Sequence, residues 1–399
     1  VTPPQVVEAH GVRLRLFRTE DTADVVDGCA DPVSQRFVSN LPSPYTEVDA
    51  RWWIDVGAPA AWTGGGAAYA IADPATDRVL GAVGLSNAVP ERGQAEIGYW
   101  VRPAARGRGV ATAATRALSE HAFATGTARL ELLTDPANGP SQRVALAAGF
   151  GHEGSRRSAG TGRDGGRHDL LAWVRLADDP PGPTARLLPD LPGGVLTDQV
   201  VALRRLAPDD AELMYRLHSR EEVVANQAPP VPPTPEAIER RCLLAESGWL
   251  TGDIARLLIV DAVTGEPAGS CGLSFTDAAS GEASIGYALL PDWRGRGYAT
   301  RAVRLLAAWA FGSAGVARLV AGTVPDNSAS HRVLERAGFH SEGLQRGRLP
   351  GLDGRRLDDL TFALLPADLR GERITGLRWA APPQPRDRRG SRPVRWRGR

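Results

Sequence analysis

The chain of 399 residues contains no lysine; all 47 of its basic residues are arginine. That absence excludes a Walker-type phosphate loop, a kinase lysine and a Schiff-base lysine for pyridoxal phosphate. Together with abundant Ala, Gly and Pro it reads as coding bias rather than chemistry. Cysteine is scarce as well. Cys29, Cys242 and Cys271 are scattered and odd in number, so no disulfide framework is expected. No apolar run reaches the roughly 18 residues of a membrane span. The first residues, "VTPPQVVEAHGVRLRLF", have neither the basic start nor the apolar stretch of a signal peptide, and the expected location is cytoplasmic. The seven histidines form no HExxH and no Cys/His cluster with zinc spacing, so no metal is expected.

What is present is the composition of a globular protein, 42% hydrophobic and 23% charged, at a length that calls for two or three domains. The formal net charge of +1 conceals an asymmetry. Residues 370–399 carry ten arginines against Glu372 and Asp387, and the remainder is mildly acidic. This Arg/Pro-rich tail buries too little apolar surface to offset its ordering entropy, and disorder is expected there. Its charge offers a salt-sensitive surface for RNA, ribosomes or anionic lipid, with a solvated tail as the plainer reading.

The chain also repeats itself. "IGYWVRPAARGRGVAT" from Ile97 returns as "IGYALLPDWRGRGYAT" from Ile285, and "GPSQRVALAAGFGHEG" from Gly139 returns as "SASHRVLERAGFHSEG" from Ser328. The offset is 188 between Arg106 and Arg294 and 189 between Gly149 and Gly338. A period this long means duplicated domains rather than a solenoid. The expected layout is a first domain over 1–177, a Pro/Gly-rich linker over 178–199, a second domain over 200–367 and the tail over 370–399. Each copy reads as an opening strand ("VRLRLF", "VVALRR"), a helical region, three strands, a helix, a strand, a short helix and two closing strands. Thr234-Pro235-Glu236 is a helix start, with cap, first-turn proline and acid. Ala111, Thr115, Leu118 and Ala122, and likewise Ala299, Val303, Leu306 and Ala310, step by four, three and four, which is an apolar helical stripe.

A glycine-rich turn that opens a helix is an anion site, because the first N–H groups of the helix lack internal partners and glycine leaves them bare. Gly107, Gly109, Val110, Ala111 and Thr112 form that surface in one copy. Gly295, Gly297, Tyr298, Ala299 and Thr300 form it in the other, and Arg106, Arg108, Arg294 and Arg296 can add attraction. The guest this predicts is a pyrophosphate. A dinucleotide fingerprint fails, since Thr112 and Thr300 stand where its third glycine belongs.

The pattern R-x-x-G-x-A after a strand resembles the acetyl-CoA signature of the GNAT N-acetyltransferase superfamily, usually written Q/R-x-x-G-x-G/A. The resemblance covers about 1–176 and 198–366. "NSASHRVLERAGFHSEG" from Asn327 and "LPSPYTEVDARWWI" from Leu41 are similar to the RimJ/RimL-type branch, the ribosomal-protein alanine N-acetyltransferases. The resemblance implies an α+β protein of two tandem GNAT folds, each a mixed, mostly antiparallel twisted sheet flanked by helices. It implies acetyl-CoA as acyl donor and direct attack of an amine on the thioester. Backbone near Tyr99, Trp100 and Val101, and near Tyr287, Ala288 and Leu289, would face the oxyanion where the strand splays. Asn138 with Ser141, and Asn327 with Ser330, would lie near pantetheine and sulfur; both asparagines are also helix N-caps by position.

The candidate base differs between copies. Glu96 and Glu282 fall on the same strand face but one pleat apart, about 6.6–6.8 Å, so the copies have different substrates or only one is catalytic. Ser141 and Ser330 are the candidate acids. The second copy follows the family pattern more closely and is favoured as the active half. The alternatives are a non-catalytic acyl-CoA sensor or scaffold, an antibiotic- or polyamine-modifying acetyltransferase on the same fold, and a nucleic-acid module driven by the tail.

Overall fold

The computed structural model describes residues 6–369. These form two compact units that divide between Arg186 and Leu187. The basic tail lies outside the described residues.

The first unit holds β1 (Val6–Ala9), β2 (Val12–Arg15), β3 (Ala67–Ala72), β4 (Val79–Val89), β5 (Gln94–Val101), β6 (Arg129–Thr134), β7 (Gly151–Thr161) and β8 (Arg167–Leu176). They make one sheet in the order β1-β2-β3-β4-β5-β6-β8-β7. Pairing is antiparallel except between β5 and β6, which the helix Val110–Ala124 connects. The expected stripe is the buried face of this helix: Thr115, Leu118 and Ala122 are fully or almost fully buried, while Ala111 is half-buried.

The second unit repeats the plan with β9 (Val195–Thr197), β10 (Val201–Arg205), β11 (Ala255–Asp261), β12 (Pro267–Asp277), β13 (Glu282–Leu289), β14 (Arg318–Thr323), β15 (His340–Pro350) and β16 (Arg356–Leu364). The order is β15-β16-β14-β13-β12-β11-β10-β9, with β13 and β14 as its parallel pair. The crossover helix Tyr298–Ser313 buries Val303, Leu306 and Ala310 against β-strand residues such as Leu257 and Ile259, and Ala299 is buried at its first turn. Trp309 packs on Trp249, ring centroids 5.4 Å apart.

The duplication extends to a polar latch. Arg15 grips Asp21 through two bonds of 2.7 and 2.8 Å, and Arg204 grips Asp210 in the same way at 2.8 and 2.7 Å. Each carboxylate also accepts the backbone N–H of Arg18 or Ala207, closing the turn from the opening strand into its helix. A bidentate pair of this kind fixes geometry as well as neutralising a buried charge.

The stretch 178–199, read as linker, is more ordered than its composition implied. Thr184 bonds the carbonyls of Leu146 and Phe150, so it packs onto the first unit. Leu188, Leu191 and Leu196 are buried in the core of the second unit, and β9 adds an edge strand to its sheet. Isolated leucines among prolines show no period, yet each buries well without one. The short strand β1 likewise lies ahead of the expected opening strand and pairs with it as a hairpin.

Candidate active site

The site is built where β13 leaves β14. The two strands pair only through Glu282, Ala283 and Ser284. Beyond Ser284, β13 stays with β12 as far as Leu289, while β14 stays with β16 as far as Thr323. The sheet therefore opens into a wedge, and the β14-facing backbone of β13 loses its ladder partner. The first unit splays identically after Glu96, with β5 following β4 to Val101.

At the wide end of each wedge is the glycine turn. Gly107 and Gly109 have φ of 71° and 77°, and Gly295 and Gly297 have 72° and 82°, a left-handed backbone that a side chain resists. A Cβ added at any of the four would meet nothing within 4 Å, so both turns are bare. Gly109 and Gly297 are the N-caps of their helices and supply no side-chain cap. The leading amides of Val110, Ala111 and Thr112, and of Tyr298, Ala299 and Thr300, are thus offered outward. This is the arrangement that receives a phosphate.

Two arginines of the turn are also tied to the rest of the fold. Arg106 donates to the carbonyl of Val101 at 3.1 Å, to Ser34 at 3.2 Å and to Asp31. Arg294 donates to the carbonyl of Leu289 at 3.1 Å and to Glu222 at 3.1 Å. Both guanidiniums are turned back to tie the strand end to the preceding helical region. They shape the turn, and Arg294 also lines the cavity beside it. Arg296 lies over the rings of Trp293 and Tyr298, 4.8 and 5.6 Å from their centroids, and Arg108 is exposed. The Tyr298 hydroxyl bonds Asp261, whose carboxyl that hydroxyl and the amides of Thr264 and Val263 hold down at about 2.

Across the wedge, the Tyr287 hydroxyl meets Ser330 Oγ at 2.7 Å; Tyr99 meets Ser141 Oγ at the same distance. Asn327 Oδ1 accepts the Ser330 N–H at 3.1 Å, and Asn138 Oδ1 accepts that of Ser141 at 3.2 Å, so both asparagines are the N-caps their position implied. Burial pushes the Tyr287 phenol up to about 12 against the opposing bond from Ser330, and raises Tyr99 likewise. The tyrosine–serine pair is not visible in the sequence, where 43 residues separate its members.

Glu282 is not brought to this pair. Its carboxylate is held by Arg318 Nε at 3.0 Å and Thr276 Oγ1 at 2.9 Å, at the opposite end of β13 from Tyr287. Glu96 accepts from Asn87 Nδ2 at 3.0 Å and shares a strand face with Gly98 and Trp100.

In the second unit these features open into one cavity of about 850 Å³. Its lining includes Gly295, Gly297, Ala299, Tyr287, Ala288, Leu289, Asn327 and Ser330 from the expected set, and not Glu282. It also includes His218, Ser270, Arg241 and Arg256, which sequence reasoning passed over. His218 Nε2 lies 3.3 Å from Ser270 Oγ and its Nδ1 lies 3.5 Å from Gln227 Nε2. Burial, then the charge of Arg241, lowers its pKa to about 4, so the imidazole is neutral at pH 7.

The corresponding face of the first unit is apolar. The eight-residue helices Thr22–Cys29 and Ala211–His218 end on Cys29 and His218. Seven residues beyond Thr46 and Thr234, the N-caps of the helices Glu47–Trp52 and Pro235–Leu243, stand Trp53 and Arg241. By strand register Ala68 and Arg256 both oppose glycine, and Ala82 pairs with Trp100 where Ser270 pairs with Ala288. Cys29, Trp53 and Trp100 join Tyr45, Ala50 and Ile54 in one apolar cluster. A Cβ on Gly28 would come within 2.1 Å of the Trp100 ring, so this indole fills the space beside that helix. Position-by-position comparison of the two copies was the signal that could have found the four polar residues.

Comparison with known proteins decides the family. The model of the Acetyltransferase (GNAT) domain matches residues 12–151 and again 201–340. The chain belongs to the GNAT acetyltransferase family. It is an N-acetyltransferase carrying the family domain in tandem. The uncharacterized N-acetyltransferase p20 of Bacillus licheniformis is 30% identical over 173 residues, 43% of this chain and 96% of p20. The probable N-acetyltransferase YjcK of Bacillus subtilis is 42% identical over 86 residues, 22% of this chain and 47% of YjcK. Among solved structures, Mycobacterium smegmatis RimJ in complex with CoA-disulfide is similar at 23% identity and a TM-score of 0.42, covering 48% of this chain and 94% of RimJ. Among the described residues, no group of His, Cys, Asp or Glu could hold a metal ion and no helix is long and apolar enough to cross a membrane.

Proposed function

We propose that the second half moves an acetyl group from acetyl-CoA to a primary amine, an α-amine or a small-molecule amine, by direct attack on the thioester. One observation carries this reading: the bare turn at Gly295 and Gly297, the Tyr287–Ser330 pair and His218 share a single cavity. The diphosphate of the coenzyme would lie on the amides of Tyr298, Ala299 and Thr300. Arg332 and Arg336 line the same cavity and offer cations to its remaining phosphate. The pantetheine arm would occupy the wedge, bringing the thioester carbonyl to the unpaired β13 backbone near Tyr287–Leu289, which would stabilise the oxyanion.

The amine attacks the carbonyl carbon, the tetrahedral intermediate collapses, and the carbon–sulfur bond breaks. An α-amine near 7.7–8 is partly free at neutral pH, so its proton can leave to solvent; an imidazole near 4 is too weak a base to hold it, and neutral His218 serves as a hydrogen-bond partner that orients the amine. The phenol near 12 is a weaker acid than a thiol near 8.5. Tyr287 and Ser330 therefore serve the departing thiolate as hydrogen-bond donors, while its proton comes from solvent. In the first half Glu96 and Ser141 would take the corresponding roles for a different acceptor.

Thiol release from acetyl-CoA, followed with the full chain over a panel of amines and peptides, tests this. Tyr287→Phe and Ser330→Ala should each lower kcat roughly tenfold to a hundredfold with coenzyme affinity kept. Saturable coenzyme binding with no release on a broad panel would instead mark a non-catalytic acyl-CoA sensor.

A further inference from the structure

The acceptor end of the second cavity carries positive charge that the fold does not neutralise. Arg256 stands on β11 opposite Gly272, on the strand face that alternates away from Leu257 and Ile259. The latter two pack under the helix that carries the phosphate turn, so Arg256 faces the other side of the sheet. Arg241 comes to the same cavity from the helix Pro235–Leu243. Both side chains are half-buried, and among the described residues neither has a hydrogen bond or ion pair. The pKa of Arg256 is lowered first by burial and then by Arg241, with Asp253 a weaker opposing charge that is itself bonded by Thr251. Glu222 is the carboxylate lining this cavity, and it is committed to Arg220 and Arg294.

Two like charges without a counter-ion, facing a cavity, are a cost the fold bears only where a ligand supplies the counter-charge. The coenzyme phosphates are directed to the turn on the opposite face. We infer that the second half selects acceptor amines that also carry an oxyanion, a carboxylate or a phosphate, which seats between Arg241 and Arg256 while the amine points at the wedge. Guanidinium suits this task, since its fork donates in pairs to either anion. The first half has Trp53 and Ala68 at these positions and lacks the seat. The inference rests on the acetyl-transfer reading for its reaction, but the anion seat stands or falls separately.

The test uses the full chain saturated with coenzyme and pairs of amines matched except for charge: β-alanine against β-alaninamide, and phosphoethanolamine against ethanolamine. Thiol release gives kcat/KM, and calorimetric titration of the same four compounds into the CoA-loaded protein gives binding without turnover. The charged member of at least one pair should win by about tenfold or more in kcat/KM and in affinity. The better pair identifies carboxylate or phosphate as the anion. Arg256→Gln and Arg241→Gln should bring that ratio close to one while acetyl-CoA titrates as in wild type, which also shows that the variants fold. Equal or better performance by the neutral members, in both readouts, overturns the inference. A charged preference in binding with no thiol release from any compound keeps the anion seat and removes acetyl transfer from this half.

Discussion

The two halves are built from one plan and part company on one face. The splayed strands, bare glycine turn, tyrosine–serine pair and Asn cap recur with nearly the same distances. Across the sheet, Cys29, Trp53, Ala68 and Trp100 of the first half stand where the second has His218, Arg241, Arg256 and Ala288. The difference teaches how such a duplication diverges. If both halves take the same coenzyme, the donor side is constrained by one unchanging ligand and offers it backbone amides that any helix start can provide. The acceptor side is made of side chains, so a handful of substitutions turns an apolar wall into a cationic one.

The comparison breaks most completely at the turns. Gly109→Glu or Gly297→Glu places a carboxylate on a left-handed position in the space a diphosphate needs. Each should remove one coenzyme site, with affinity there falling more than about a hundredfold and stoichiometry dropping from two to one per chain. A wild-type stoichiometry of one would show that only one half retains its donor site, and the variant that leaves it unchanged identifies the dead half.

Exchanging the face residues sharpens it further. Ala288→Trp brings the indole of the first half into the second cavity, and thiol release by that half should fall roughly tenfold with coenzyme binding intact. If release is unaffected, the Ala288 side of the cavity is not the acceptor's path.

His218 gives the halves different acid sensitivity. Its folded value near 4 lies below the ordinary 6.5. Between those values the unfolded chain binds a proton that the folded one does not. Stability is therefore full above about pH 6.5 and is lost as pH falls towards 4, by up to about 3 kcal/mol. Cys29 brings no such titration to the first half. Denaturant midpoints measured from pH 7 to 4 should show the loss in wild type and a flatter profile in His218→Gln. Identical profiles would mean that the fold does not lower the pKa of His218.

The smallest effect is expected at Glu282. Its pair with Arg318 is substantially solvent-exposed, so Glu282→Gln should cost about 1 kcal/mol or less in stability and leave kcat within about twofold. A loss of kcat above tenfold would restore Glu282 as the base.

Much of this protein was legible beforehand, and the unread parts share a cause. The Arg-Gly-Arg-Gly turns were readable because bare amides at a helix start are a local property, encoded by adjacent glycines. The helical stripe ending at Ala310 was readable because a period of 3.6 is local too. The ties of Arg106 and Arg294 were not legible, since a guanidinium reaches far enough to bond a carboxylate about 75 residues earlier in sequence. Leu188, Leu191 and Leu196 hid in a proline-rich stretch because single buried leucines carry no period.

By itself the sequence determined the duplication, the family plan and the bare glycine turns at two helix starts, all of which follow from patterns within about thirty residues. Only the tertiary structure decided that Tyr287 meets Ser330, that Glu282 is bound to Arg318, and that His218, Arg241 and Arg256 line one cavity. The reason is geometric. Strand pairing and the crossover helix bring together residues that are far apart along the chain, and the charge a side chain feels is set by those neighbours rather than by its own segment.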